Sequence, residues 1–167
     1  FIESGWSVKS MHRLILASQA WQRSTRHHPA NALIDPANRF LWRQERIRLD
    51  AESLRDTVMQ ASGTLRLDRP GTHPFPPVEE WRWTQHSPFK TVYDSDHRSV
   101  YLMTQRLQRH PYLSLFDAPD ANVSTDVRTV SNVPSQALFF MNSPFIQRQS
   151  SELARRLIAN VADADRK

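Results

Sequence analysis

The stretch SNVPSQALFFMNSPF, residues 131–145, decides the fold class of this chain. Pro134 suits the first position of a helix, where the N–H that proline lacks would have no partner anyway. The five apolar residues 137–141 then cover nearly the whole circumference of that helix, and a helix that is apolar on all sides is buried. Asn142-Ser143-Pro144 repeats the start signal. We therefore expect a short helix that places Phe139 and Phe140 in the core, followed at once by a second helix.

Helical spacing of apolar residues recurs elsewhere in the chain. The segment after Asp50 has the clearest limits, because Asp50 suits an N-cap and Gly63 suits a left-handed stop. The helix after Pro144 is expected to turn Ile146, Leu153, Leu157 and Val161 inward. The expected helices outside 131–145 span residues 7–23, 36–46, 51–62, 98–110 and 144–161.

Residues 64–97 differ in character, because five of the eleven prolines and two tryptophans fall between residues 69 and 89. Pro76-Pro77 excludes a helix there, while the aromatic content predicts an ordered, irregular segment laid over the helices. The sequence thus predicts a mainly α, single-domain bundle of five or six helices over residues 1–167, with this excursion in the middle. We expect the tail, residues 162–167, to be frayed.

Composition excludes several kinds of site. The chain has no cysteine, so disulfides, thiolate metal sites and covalent haem attachment are excluded. Its 22 Lys and Arg exceed its 17 Asp and Glu, for a formal net charge of +5. No run approaches the ~18 apolar residues of a membrane span. The first residues do not have the form of a signal peptide, and we expect any such signal to lie upstream.

Four separated motifs together resemble one known family. They are GWSVKSMHRLILASQAWQRST, DPANRFLWRQERIRLDAESLRD, RSVYLMTQRLQRHPYLSLFDAPD and SNVPSQALFFMNSPF. In this order they resemble the planctomycete cytochrome-c-associated domain of unknown function, the PSD-type carboxy-terminal domain of large exported bacterial proteins. The resemblance covers roughly residues 5–160.

The resemblance implies a setting rather than a reaction. It implies a periplasmic or otherwise extracytoplasmic location, upstream domains of the same parent chain as partners, and surroundings linked to polysaccharide breakdown. Haem is implied only for an upstream module, because Cys-x-x-Cys-His is absent here, so no cofactor is expected in this segment. The Pro-rich RPGTHPFPPVEEW replaces a Gly-Gly-containing segment of many members, which places any family site built on those glycines in doubt.

Loop carboxylates are the candidate catalytic groups. Asp117, Asp126 and Arg128 lie in a polar loop, and functional residues concentrate in loops. Two carboxylates held about 5–9.5 Å apart can hydrolyse a glycosidic bond. The alternative is that an Asp–Arg pair pins the loop to the helices.

Candidate binding residues are Arg48, Asn132, Trp81 and Trp83. Arg48 belongs to a charged cluster around Asp50, whose alternative role is a helix cap with a solvated flank. In an extended chain Trp81 and Trp83 face one side, where they would stack on a sugar ring or a partner side chain; the alternative is that they cover the helical core.

The seven histidines are scattered, and we expect no metal site. Asp94, Asp96 and His97 could contact a metal only together with a distant ligand, and surface or capping roles are favoured for the histidines. A Ser–His–Asp triad stays open, although no G-x-S-x-G turn supports one.

Three functions therefore remain. The favoured one is a non-catalytic accessory or protein-interaction domain. The alternative is a carbohydrate-active hydrolase that uses the loop carboxylates, and the third is a nucleic-acid-binding helical module. Whether this segment alone is an enzyme stays open, with the non-catalytic interpretation favoured.

Overall fold

The computed structural model describes residues 1–72, 92–106 and 108–164, the last three of these by their backbone alone. These residues form six α-helices and one 3₁₀ turn, and they contain no β-strand, only an isolated bridge between Arg66 and His97. The mainly α class is confirmed. The helices are α1 Val8–Leu16, α2 Pro29–Ile34, α3 Ala51–Ser62, α4 Pro111–Leu115, α5 Pro134–Asn142 and α6 Pro144–Ala164.

The chain divides into two compact units, Phe1–Arg48 and Leu49–Lys167. The single-domain arrangement stays a prediction. None of the described helices is long and apolar enough to cross a membrane.

In the first unit, α1 begins where expected because the Ser7 hydroxyl accepts from the Ser10 N–H. The predicted helix after Pro36 is wrong: Pro29 begins α2 instead, and Asp35 follows its end. The Asp35 carboxylate accepts the N–H groups of Arg39 and Phe40 at 3.0 and 2.8 Å, so it organises a loop rather than capping a helix.

The first unit contains almost no interior. Its only buried residues are the polar Asp35 and Asn38, and Asn38 braces the same loop through the Arg43 backbone. No apolar side chain among residues 1–48 is buried.

In the second unit, α3 has the predicted limits. The Asp50 carboxylate accepts the Ser53 N–H at 2.7 Å, and Gly63 ends the helix at φ 82°, a left-handed conformation that glycine adopts without strain. The buried face, however, runs along Ala51, Arg55, Met59 and Ser62, so a charged residue occupies an interior position.

The apolar core is centred on α4, which the sequence interpretation missed. The predicted helix over residues 98–110 is wrong: only Ser99–Tyr101 form a 3₁₀ turn, and Pro111 begins a helix rather than ending one. The buried core cluster comprises Ala51, Leu102, Tyr112, Leu113, Phe116 and Ala118.

Helix α5 begins at Pro134 as predicted, but its complete burial is wrong. Gln136 is its only buried residue. Phe139 is half-buried against the core, whereas Phe140 is 38% exposed and Met141 is 72% exposed. The core therefore covers one side of α5 only.

Helix α6 packs along α3 through polar contacts. The buried Gln149 Oε1 accepts the hydroxyls of Ser62 and Thr64, both at 2.6 Å. Arg156 donates to the Gln60 and Ala61 carbonyls at the end of α3. The expected inward Leu157 and Val161 are exposed, so that part of the prediction is wrong. The backbone of α6 is helical to Ala164. The sequence predicts a frayed tail that begins at residue 162.

The Pro/Trp-rich excursion is described only in part. Residues 64–72 and 92–97 contain no helix, as expected. Trp81 and Trp83 lie outside the described residues, so their stacking role stays a prediction.

Candidate functional site

The loop carboxylate Asp117 supports local structure. It accepts the Ser131 N–H at 2.8 Å and the Ser131 hydroxyl at 2.8–2.9 Å. Ser131 in turn accepts from Gln136 of α5. Asp117 thus connects the two ends of the polar loop that spans residues 117–131.

Arg128 pins the same loop to the start of α3. Its guanidinium donates to both Glu52 carboxylate oxygens, at 2.6 and 3.1 Å, and lies 3.7 Å from Asp50. Arg128 thus holds the loop against α3, with Glu52 rather than an aspartate as its bidentate partner. Hydrogen bonding to Glu52 raises the pKa of Arg128.

The remaining candidates have separate surroundings. Asp126 accepts the Val127 N–H at 2.7 Å, and Asn132 is an exposed residue just before α5. Arg48 belongs to the first unit. Asp117, Asp126 and Arg128 thus contact three different partners, and a shared catalytic role stays a prediction.

The contacts of Asp50 predict an acid-dependent loss of stability. The Ser53 hydrogen bonds, and to a lesser extent Arg128, hold the pKa of Asp50 below its usual value. A depressed carboxyl pKa stabilises the fold above the unfolded-state pKa, and this contribution disappears as the pH falls through the folded-state value. Asp50→Asn keeps a capping side chain but does not titrate. We expect its stability to fall less steeply between about pH 5 and 3 than that of the unsubstituted protein, measured by urea unfolding. Identical pH profiles would contradict this assignment.

A second polar region is built around YDSDHRS, residues 93–99. Three nearby residues have three different partners: Asp94 contacts His110 at 3.0 Å, Asp96 pairs with Arg148 at 2.6 Å, and His97 faces Asp68 at 3.3 Å. Among the described residues, no group of three His, Asp or Glu side chains is arranged to hold a metal.

Arg55 of α3 holds residues 95–99 in place through hydrogen bonds. It is 3% exposed, and it donates to the carbonyls of Ser95 and His97 and to the Ser99 hydroxyl. The neighbouring Asp56 accepts the Ser99 N–H at 2.8 Å and the Ser99 hydroxyl at 2.6 Å. Burial lowers the pKa of Arg55, and the nearby carboxylates oppose that shift. Helix α3 thus fixes the backbone of residues 95–99.

Ser95, His97 and Asp68 form a chain of side-chain contacts on this fixed backbone. Ser95 Oγ lies 2.7 Å from His97 Nδ1, and His97 Nε2 lies 3.3 Å from Asp68 Oδ2. Ser95 and His97 are both part of the wall of a cleft of about 510 Å³. Hydrogen bonding from Arg66, and secondarily from His97, holds the pKa of Asp68 below its usual value.

Comparison with known families identifies the family of this chain. A family model described as PSD1, a protein of unknown function (DUF1553), matches residues 1–166. The chain belongs to this family. The resemblance seen in the four sequence motifs is confirmed, and PSD1 domains are typically part of larger proteins. Neither the curated proteins nor the solved structures contain a significant match.

Sequence reasoning on this PSD1 domain overlooked part of the second polar region. His97 stood out as one of the few candidates for metal contact, whereas Ser95 and Asp68 did not. The Ser-x-His spacing was visible in the sequence, but Asp68 is 29 residues from His97. Only the path of the chain brings that carboxylate to the imidazole.

Proposed function

We propose that this PSD1 domain is a protein-interaction domain of a larger exported, cytochrome-c-associated protein, in a setting of polysaccharide breakdown. Its first unit would dock on the upstream domains of the parent chain. The observation that carries the proposal is the uncovered apolar face of α1.

Helix α1 is amphipathic, yet none of its residues is buried. At helical spacing Val8, Met11, Leu14 and Ile15 share one face, and Lys9, His12 and Arg13 lie on the other. Val8, Leu14 and Ile15 are all exposed. An exposed apolar face bordered by polar residues is typical of an interaction surface.

The charge of the chain indicates the chemistry of the partner. Residues 1–48 contain eight Lys and Arg against three Asp and Glu, whereas residues 49–167 contain fourteen of each kind. The whole formal excess of +5 therefore belongs to the first unit. A partner surface with acidic residues around an apolar groove would complement both features of α1. The apolar face favours a protein over nucleic acid, which is bound chiefly through phosphate contacts.

Isothermal titration calorimetry of this domain against the upstream domains of its parent protein tests the proposal. Leu14→Glu places a charge on the apolar face, and we expect affinity to fall at least about tenfold. Arg13→Glu should weaken binding most at low salt, because screening reduces the contribution of exposed charges.

Val127→Glu is the matched control, since Val127 is a similarly exposed apolar residue of the second unit. We expect it to bind like the unsubstituted domain. Equal affinities of the Leu14→Glu and Val127→Glu proteins would show that α1 is not the docking surface.

A further inference from the structure

The hydrogen bonds of His97 define its tautomer. Asp68 carries a negative charge, so the ring proton lies on His97 Nε2, which donates a hydrogen bond to the carboxylate 3.3 Å away. His97 Nδ1 then has a free lone pair, and it faces Ser95 Oγ at 2.7 Å. The Ser95 hydroxyl must donate to it. A serine donating to a histidine that a carboxylate orients is the arrangement that activates a nucleophile.

One lone pair of Ser95 Oγ is available for nucleophilic attack. The His97 backbone N–H donates to it at 3.2 Å, which occupies one of the two lone pairs of the hydroxyl oxygen. The second lone pair stays available for attack on a substrate. Ser95 itself is half-buried, and the His97 side chain is 12% exposed, so the pair is partly shielded from water yet reachable.

The backbone that carries both side chains is held in place before any ligand arrives. Buried Arg55 holds the carbonyl groups of Ser95 and His97, and the Arg66 N–H donates to the Asp96 carbonyl between them at 2.8 Å. Three consecutive carbonyls are therefore bonded to fixed donors. Catalytic groups supported in this way lose little entropy when the reaction begins.

The cleft beside the pair has the size of a small-molecule site. Its volume of about 510 Å³ lies within the range of about 300–1,000 Å³ that is typical of ligand pockets. Arg69 and Tyr101 also line it, and N–H and O–H groups of this kind are the donors that stabilise an oxyanion. Val100 and Leu102 add apolar surface.

We propose that Ser95 and His97, positioned by Asp68, form an acyl-transfer site that hydrolyses carboxylic esters. Ser95 Oγ attacks the ester carbonyl carbon while its proton passes to His97 Nδ1. The carbon–oxygen bond of the ester breaks, and the alcohol leaves with that proton. Water then attacks the acyl-serine, gives one proton to His97 Nδ1, and releases the carboxylic acid as Ser95 recovers its proton. This activity is independent of docking through α1.

A fluorophosphonate probe tests the nucleophile directly, because it phosphonylates activated serines. Intact-mass spectrometry of the whole chain should show one adduct, and peptide mapping should place it on Ser95. Ser95→Ala should abolish the adduct, and His97→Gln should slow its formation by at least about 100-fold, the usual size of a general-base effect. Ser151→Ala is the matched control, since the Ser151 hydroxyl is exposed and bonds only to the Gln147 carbonyl among the contacts described; it should label normally.

Asp68→Asn tests whether Asp68 orients His97 for the reaction or only stabilises the local fold. Loss of the carboxylate removes the charged acceptor that orients His97 Nε2, so labelling of Ser95 should slow by about tenfold or more. Asp68→Glu keeps a carboxylate and should restore most of the rate. Hydrolysis of 4-nitrophenyl acetate should follow the same order among the variants. The proposal is overturned if the probe leaves Ser95 unmodified, or if Ser95→Ala, folded as judged by circular dichroism, hydrolyses the ester like the unsubstituted protein. In either case Ser95 and His97 serve only as a local turn.

Discussion

Replacing Arg55 by methionine is expected to lower the free energy of unfolding by about 3–5 kcal/mol, the usual cost of removing one partner from a buried charged network. The guanidinium is buried and bonds to the Ser95 and His97 carbonyls and the Ser99 hydroxyl. Methionine has a similar length but no donor, so these acceptors would lose their partner. The carboxylates of Asp94, Asp56 and Asp96 would also lose a nearby positive charge.

Urea unfolding followed by far-ultraviolet circular dichroism measures this effect. Arg155→Met is the matched control, because Arg155 is 71% exposed and pairs only with Glu152 one turn earlier among the contacts described. Exposed pairs of this kind contribute about 0.3–0.5 kcal/mol. Similar losses in the Arg55 and Arg155 variants would contradict the anchoring role of Arg55.

Truncating Phe116 to alanine is expected to cost about 3–5 kcal/mol, the usual range for a buried phenylalanine. Phe116 is 6% exposed, and its ring lies 4.8 Å from that of Tyr112, 5.5 Å from that of Phe139 and 5.6 Å from that of Phe140, between centroids. Alanine would leave a cavity at the point where α4 and α5 meet, and these neighbours cannot all move to fill it.

Phe140→Ala provides the comparison within the same aromatic cluster. Phe140 is partly exposed, so its truncation removes less buried surface and leaves a groove open to water. We expect a loss of about 1–2 kcal/mol, smaller than that of Phe116→Ala. Thermal or urea unfolding of the two variants decides the order. An equal or larger loss in Phe140→Ala would mean that α5, rather than α4, supplies the centre of the core.

Signals that act within one helical turn were predictable from the sequence. Asp50 and Gly63 bound α3 as expected, and Pro134 and Pro144 begin α5 and α6. In each case the residue interacts with backbone groups at most four positions away, so no knowledge of the remaining chain was required.

Residues whose local chemistry permits two outcomes were not predictable in the same way. Pro111 can end one helix or begin the next, and it begins α4, because Tyr112 and Phe116 reach a core that Ala51 and Phe139 complete. Asp35 suits an N-cap, yet its carboxylate bonds to N–H groups of a loop. The choice depends on which arrangement the tertiary contacts stabilise.

In the candidate site, too, local signals were predictable from the sequence and long-range contacts were not. Arg128 was identified from its loop, but its bidentate partner Glu52 is 76 residues away. Ser95 and His97 are two residues apart, so their proximity follows from the sequence. Asp68 and the supporting Arg55 come from other parts of the chain.

By itself the sequence determined the helical class, the PSD1 family and the helix starts at Asp50, Pro134 and Pro144, because capping groups and helical periodicity depend on neighbours within one or two turns. The tertiary structure alone decided that Arg55 would be an interior residue, that α4 would centre the core and that Phe140 would stay partly exposed. Burial is a property of contacts between distant segments, and those contacts exist only after the chain has folded.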